Sequence, residues 1–185
     1  MSREMCTFAV RNDYFMQEHW WGFAAMPEGM DYPYCGEDDP MTLVCQFALG
    51  EGMVYVFANL DYFFGDLEAE GGHLGEWPSS LFRVLYSPTR KDLHEHKIRY
   101  ADGSSAVPAP RAITDYDSRI LSSPTAWTDE LEQDFPGYKV LVQLEEEDDA
   151  LGLRFYDCGS LFFLIRPADL AARRFDRVRC VLYSY

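Results

Sequence analysis

The four-residue word Val-Leu-Tyr-Ser occurs twice, at 84–87 and 181–184, and the same separation of 97 residues pairs Leu43-Val44-Cys45-Gln46-Phe47 with Val140-Leu141-Val142-Gln143-Leu144. One offset that serves both ends of a segment marks an internal repeat, and two like units must bury two like apolar faces. Met41, Leu43, Cys45, Phe47 and Leu49 alternate along the first segment, and Val140, Val142 and Leu144 along the second. This spacing predicts strands with these residues on one face and Gln46 and Gln143 on the other. Gly52-Met53-Val54-Tyr55-Val56-Phe57 matches Gly159-Ser160-Leu161-Phe162-Phe163-Leu164. A glycine followed by an unbroken apolar run predicts a strand covered on both faces.

Each of these runs is followed by a short helical candidate. Pro167 suits a first helical position with Asp169 in the positive first turn, while Leu60–Phe64 is expected as a helical turn stopped by Gly65. Ser123-Pro124 predicts the opening of a helix that runs to about Asp134 and ends at Pro136-Gly137. Asp102-Gly103 signals a hairpin-type turn. The expected fold is mainly β, bordering on α+β, with two similar antiparallel β-rich repeats and short helices sharing one core. The whole chain, 1–185, forms a single domain in this reading. Its repeats span about 20–100 and 117–185, joined by a Pro-rich connector near 105–111.

A hydrophobic fraction of 48% with 16% aromatics excludes a disordered chain and is rich in strand formers. No apolar run approaches the roughly 20 residues of a membrane-spanning helix, and the opening Met-Ser-Arg-Glu-Met-Cys has no secretory apolar stretch. Five cysteines, an odd number without a C-x-x-C pair, read as reduced thiols. The expected compartment is therefore the cytoplasm.

Charge is distributed very unevenly. Of the net −15, residues 1–80 carry two basic against fourteen acidic side chains, a balance of −12. Residues 81–185 carry fourteen against seventeen, a balance of −3, and no Lys or Arg occurs from Asn12 to Phe82. Such a field repels nucleic acid and anionic membrane and steers cationic partners, or simply keeps the chain in solution.

Several constellations carry possible chemistry. Asp66, Glu68 and Glu70 stand at positions 1, 3 and 5 before Gly71-Gly72-His73, as in the start of a calcium loop. Position 12 is Trp77 rather than a bidentate Glu, so a solvated turn is the simpler reading and no cofactor is expected. His94 and His96 make half of a zinc site, with no third ligand identifiable. Asp157-Cys158-Gly159 sets an acid and a thiol at a strand start. As a nucleophile Cys158 needs an imported histidine; otherwise the glycine makes a turn and the thiol packs.

The sequence also resembles the YwqG-like family, a bacterial domain of unknown function. The likeness lies in Trp21-Gly22-Phe23 through Pro33, Leu43–Phe47, Gly52–Phe57 and Asp61-Tyr62-Phe63-Phe64-Gly65-Asp66. It continues in Leu141–Leu144, Tyr156-Asp157-Cys158-Gly159, Leu161–Ile165, Asp169-Leu170 and Phe175-Asp176-Arg177-Val178. The resemblance implies a mainly antiparallel β architecture with two similar halves and no established activity.

Two functions are weighed. The first is a non-enzymatic acidic module that binds a basic protein, immunity-type or regulatory, through Asp61, Asp66, Glu68, Glu70, His73 and Trp77. The second is a thiol-dependent or hydrolase-like enzyme using Cys158 and Asp157.

Overall fold

Two three-stranded meanders organise the chain. The computed structural model describes residues 18–36, 39–63, 66–69, 74–100, 103, 107–113, 120–121, 129–145, 155 and 159–184. In chain order the strands of the first half are β1 (His19–Trp20), β2 (Ala25–Pro27), β3 (Tyr34–Cys35), β4 (Asp39–Pro40), β5 (Thr42–Leu49) and β6 (Gly52–Ala58). They continue with β7 (Leu60–Phe63), β8 (Asp66–Ala69), β9 (Gly75–Glu76), β10 (Phe82–Ser87), β11 (Leu93–Glu95) and β12 (Arg111–Ala112). The second half adds α1 (Asp129–Asp134), β13 (Lys139–Glu145), β14 (Gly159–Ile165), α2 (Pro167–Ala171), a 3-10 turn at Phe175–Arg177 and β15 (Arg179–Ser184). The architecture is mainly β, as expected.

The first sheet has the order β10-β6-β5-β1-β12 and the second β13-β14-β15-β9. In the first, Leu49 faces Gly52 across a two-residue turn, and Gly50 takes φ +63 at the position where such hairpins favour glycine. The central strands β6 and β14 are buried along their whole length. Their continuous apolar runs follow from this double covering. Val54, Val56 and Ala58 meet Leu161, Phe163 and Ile165 in a core shared by both sheets. Met53, Tyr55 and Phe57 face outward beneath β2 and β11, in a layer with Ala25, Met26 and Leu93. On the far side of the second sheet, Phe162 and Leu164 pack on Leu131 and Phe135 of the α1 region. Each large side chain so buried contributes roughly 1.5–3 kcal/mol.

The expectation of simple alternation in β5 and β13 is corrected by a bulge. Pairing shifts between Leu43 and Cys45, leaving Val44 as the extra residue, and shifts in the same way between Val140 and Val142, leaving Leu141. An inserted residue reverses the facing of everything beyond it. Met41 and Leu43 therefore point to the outer layer while Cys45 and Phe47 point to the shared core. Val140 points to α1 while Val142 and Leu144 point inward.

Each bulged carbonyl is taken up in the same manner. Trp21 N–H donates to Val44 O at 3.0 Å, and Leu121 N–H to Leu141 O at 2.9 Å. Both donors are left-handed, with φ +60 and +52. The residue before each pairs across the ladder in the same place, Trp20 with Cys45 and Ile120 with Val142.

The repeated word is itself out of phase by one residue. Val84 pairs with Val56, and Gln46 and Gln143 set Tyr55 equivalent to Phe162 and Val56 to Phe163. Phe163 pairs with Cys180, not Val181. Val84 accordingly faces the shared core and Val181 faces α1. Identical letters present opposite faces because strand pairing decides the side.

Leu60–Phe63, expected as a helical turn, is a strand paired with Asp66–Ala69. Its Tyr62-Phe63 pair belongs to the residue types that favour extended backbone, and the hairpin partner supplies backbone bonds that one helical turn cannot match. Helix α2 forms where Pro167 and Asp169 announced it, and α1 covers the C-terminal part of the helix expected from Ser123-Pro124 to about Asp134; 122–128, where that helix was expected to open, lie outside the described residues. Gly103, at φ +82, donates its N–H to Tyr100 O in a tight turn.

The halves exchange elements. β9, from the first half, pairs with β15 at the edge of the second sheet, and Trp77 N–H donates to Cys180 O at 2.8 Å. In return, Phe175 stacks on Tyr86 of β10 with ring centroids 5.4 Å apart. The Pro-rich segment lies against the first sheet: Pro108 is buried, Arg111–Ala112 pairs with β1, and Pro110 closes on Gly22.

Candidate functional site

The acidic segment becomes a hairpin of its own. β7 and β8 form a separate two-stranded sheet whose register sets Asp61 opposite Glu68 and Phe63 opposite Asp66. Three of the expected binding residues, Asp61, Asp66 and Glu68, are thereby brought onto one ladder. Glu70 and His73 lie outside the described residues. The strand at 66–69 also replaces the open loop that a calcium site of that spacing requires.

Trp77 is placed differently from an anchor on a docking surface. At 2% exposure it packs in the shared core, held by its backbone bond to Cys180. Trp20 and Trp21 are core residues as well. What decides this is the position of Trp77 beside β9, whose pairing crosses between halves and cannot be read from local spacing.

His94 lies exposed on β11 opposite Met26, while His96 is half-buried with its ring stacked on Tyr32 at 6.2 Å between centroids. Among the described residues no group of three His, Cys, Asp or Glu side chains is poised for a metal ion. Asp157 and Cys158 lie outside the described residues. Of the other thiols, Cys45 and Cys180 are buried, and burial pushes the Cys180 thiol well up, which keeps it protonated and poorly nucleophilic.

Described arginines of the second half are engaged mostly within the molecule's own surface. Arg179 chelates both carboxylate oxygens of Glu76, its Nε donating at 2.5 Å, and lies 4.7 Å above the Phe135 ring. The Glu76 hydrogen bonds hold its guanidinium charged. Arg166 lies over Tyr138 at 4.6 Å, Arg173 over Tyr86 at 5.6 Å, and Arg177 pairs with Asp169 at 3.8 Å. Among these, Arg179 reaches a first-half carboxylate. Glu28, Asp31 and Glu51 stay exposed on the acidic half.

One polar constellation was not singled out from sequence. Ladder pairing lines up His19, Gln46 and Tyr55 across β1, β5 and β6, beneath the β2–β11 layer. All three are fully buried. Gln46 Oε1 accepts Ala25 N–H at 2.9 Å, and His19 Nδ1 lies 2.6 Å from Trp21 O. His19 Nε2 and Tyr55 OH have no partner. Burial lowers the His19 pKa and raises that of Tyr55, so both are neutral at pH 7. β1 meets the β5–β6 hairpin only in space, which is why spacing along the chain conceals the row.

Among the described residues no helix is long and apolar enough to cross a membrane. No curated protein matches the sequence. A family model described as a domain of unknown function, DUF1963, matches residues 89–183. That match begins before β11 and takes in the second meander up to Tyr183, leaving the acidic hairpin outside. With more than half of its length matched, the chain belongs to the DUF1963 family of domains of unknown function.

Proposed function

We propose that the protein is a non-enzymatic binding module whose acidic first half receives a basic protein. The observation that carries this reading is the β7–β8 hairpin, a sheet separate from both main sheets, with Asp61 and Glu68 at one ladder position and Asp66 at the next but one. Two carboxylate residues directly opposed on a ladder destabilise it, and a cationic partner would relieve that repulsion. The supporting context is the absence of Lys and Arg from Asn12 to Phe82, together with arginines of the second half occupied by aromatic rings and nearby carboxylates. In this role the hairpin steers and orients rather than catalyses. A narrower kinship with the YwqG-like branch fits the same chain of motifs and belongs to this proposal.

The test has two steps. A partner captured at low salt is purified, and its affinity is measured against ionic strength for the wild-type chain and for a variant carrying Asp61→Asn, Asp66→Asn, Glu68→Gln and Glu70→Gln. The association rate should fall by about tenfold in the variant and lose most of its salt dependence. Equal rates and equal salt slopes would sink the idea.

A further inference from the structure

The His19–Gln46–Tyr55 row poses a chemical question that the acidic surface does not touch. A carbonyl oxygen only accepts hydrogen bonds, so the contact of His19 Nδ1 with Trp21 O requires the proton on Nδ1. In the neutral ring Nε2 is then a bare acceptor. Tyr55 keeps its proton and presents an O–H donor. Both atoms are buried and unpartnered, and a native fold seldom leaves such groups unsatisfied, because each forfeits the hydrogen bonds it made to water in the unfolded chain.

The surroundings restrict what satisfies them. The layer over this face contains Met26, Met41 and Met53 with Met30 at its margin, whereas neither of the other two core clusters contains a methionine. Methionine side chains are unbranched and deformable, so this layer accommodates a guest more readily than the closely interlocked shared core. Among the described residues no Asp, Glu, Lys or Arg is buried, which disfavours an ion in this layer. Trp21 Nε1 is also unpartnered, but Trp21 packs in the shared core and lies outside this row.

We propose that the layer between the first sheet and its β2–β11 cover binds an uncharged hydroxylic guest, which donates to His19 Nε2 and accepts from Tyr55 O–H. The strands of His19 and Tyr55 flank β5 and so lie about 9.5 Å apart. The guest accordingly presents at least two hydroxyls: a pair of ordered waters or a small polyol meets the requirement.

The test uses the full chain. Tyr55→Phe removes one hydroxyl and keeps the ring. With a guest in place, the folding equilibrium constant measured by urea unfolding falls roughly fivefold. If the hydroxyl has no guest, its removal leaves stability unchanged or raises it, and the proposal is overturned. A second readout needs no variant: the 15N resonance of His19 Nε2 in the wild-type protein should lie where hydrogen-bonded acceptor nitrogens fall, and a bare lone-pair position refutes the guest. The sources separate after denaturation, dialysis and refolding. A Tyr55→Phe difference that survives in guest-free buffer identifies water. One that disappears and returns with added glycerol identifies a polyol.

Discussion

In the first half the left-handed residue that feeds the bulge is Trp21, 1% exposed and packed in the core; in the second it is Leu121, 42% exposed. Each donates its N–H to the bulged carbonyl of the neighbouring strand. The backbone device is thus the same, but the first half ties it to a large buried ring, to His19 through the Trp21 carbonyl, and to Gly22 at φ +78 against Pro110. The second half uses it at the surface. The difference teaches that backbone pairing and side-chain role are separable here. The meanders share a ladder pattern, while among the described residues the buried polar row and the acidic hairpin belong to the first half.

The sharpest way to break this comparison is to ask whether either half stands by itself. A fragment spanning residues 89–183, the length matched by the family model, lacks β9 and the first-sheet side of the shared core. It should show no cooperative unfolding transition by calorimetry, whereas the intact chain should show one. A cooperative fragment would mean that the halves are independent units.

Next in size is the effect of the matched glycines. A Cβ on Gly52 would overlap the Ser87 carbonyl oxygen and the Tyr86 ring, and one on Gly159 would overlap the carbonyl and Cβ of Phe155. Backbone atoms cannot yield as a flexible side chain can. Gly52→Ala and Gly159→Ala should each destabilise by about 3 kcal/mol in urea unfolding, and a small effect at one of them would show that the two strand starts are not equivalent.

A pH titration isolates the first half. His19 is held below its ordinary 6.5 by burial, so in the interval beneath 6.5 the unfolded chain binds a proton that the folded chain refuses. Stability contributed in this way is full above 6.5 and is lost as pH falls toward the lowered folded value. His19→Asn, which retains a donor toward the Trp21 carbonyl, should flatten that slope by about 1 kcal/mol per pH unit relative to wild type. Parallel wild-type and variant curves would show that His19 takes up its proton in the folded state.

The smallest expected effect compares the left-handed residues directly. Leu121→Gly relieves a strained backbone and removes little packing, and should stabilise by about 0.5 kcal/mol. Trp21→Gly relieves the same strain but empties part of the core and should destabilise. Chemical denaturation of both variants checks the sign; two destabilising results would mean that Leu121 packs as Trp21 does.

Local chemistry is legible in the chain where one element decides it. The predominantly apolar runs at 52–58 and 159–165 became fully buried strands, and Pro167 with Asp169 opened a helix. The failures share a cause. Alternation along 41–49 predicted one face, but the bulge at Val44 sends Met41 and Leu43 to the opposite side from Cys45 and Phe47. Leu60–Phe63 took its extended form from pairing with Asp66–Ala69. Of the candidate site, charge points to Asp61, Asp66 and Glu68, which share a hairpin, whereas aromatic character points to Trp77, which is core.

Composition and period by themselves determined a mainly β chain with two like apolar patterns and an acidic first half, because side-chain type and spacing are local properties. Tertiary structure alone decided which face each residue meets, that β9 completes the sheet of the other half, and that His19, Gln46 and Tyr55 stand in one row. Those outcomes depend on register between strands distant in sequence, and a shift of one residue there reverses every side chain on the strand.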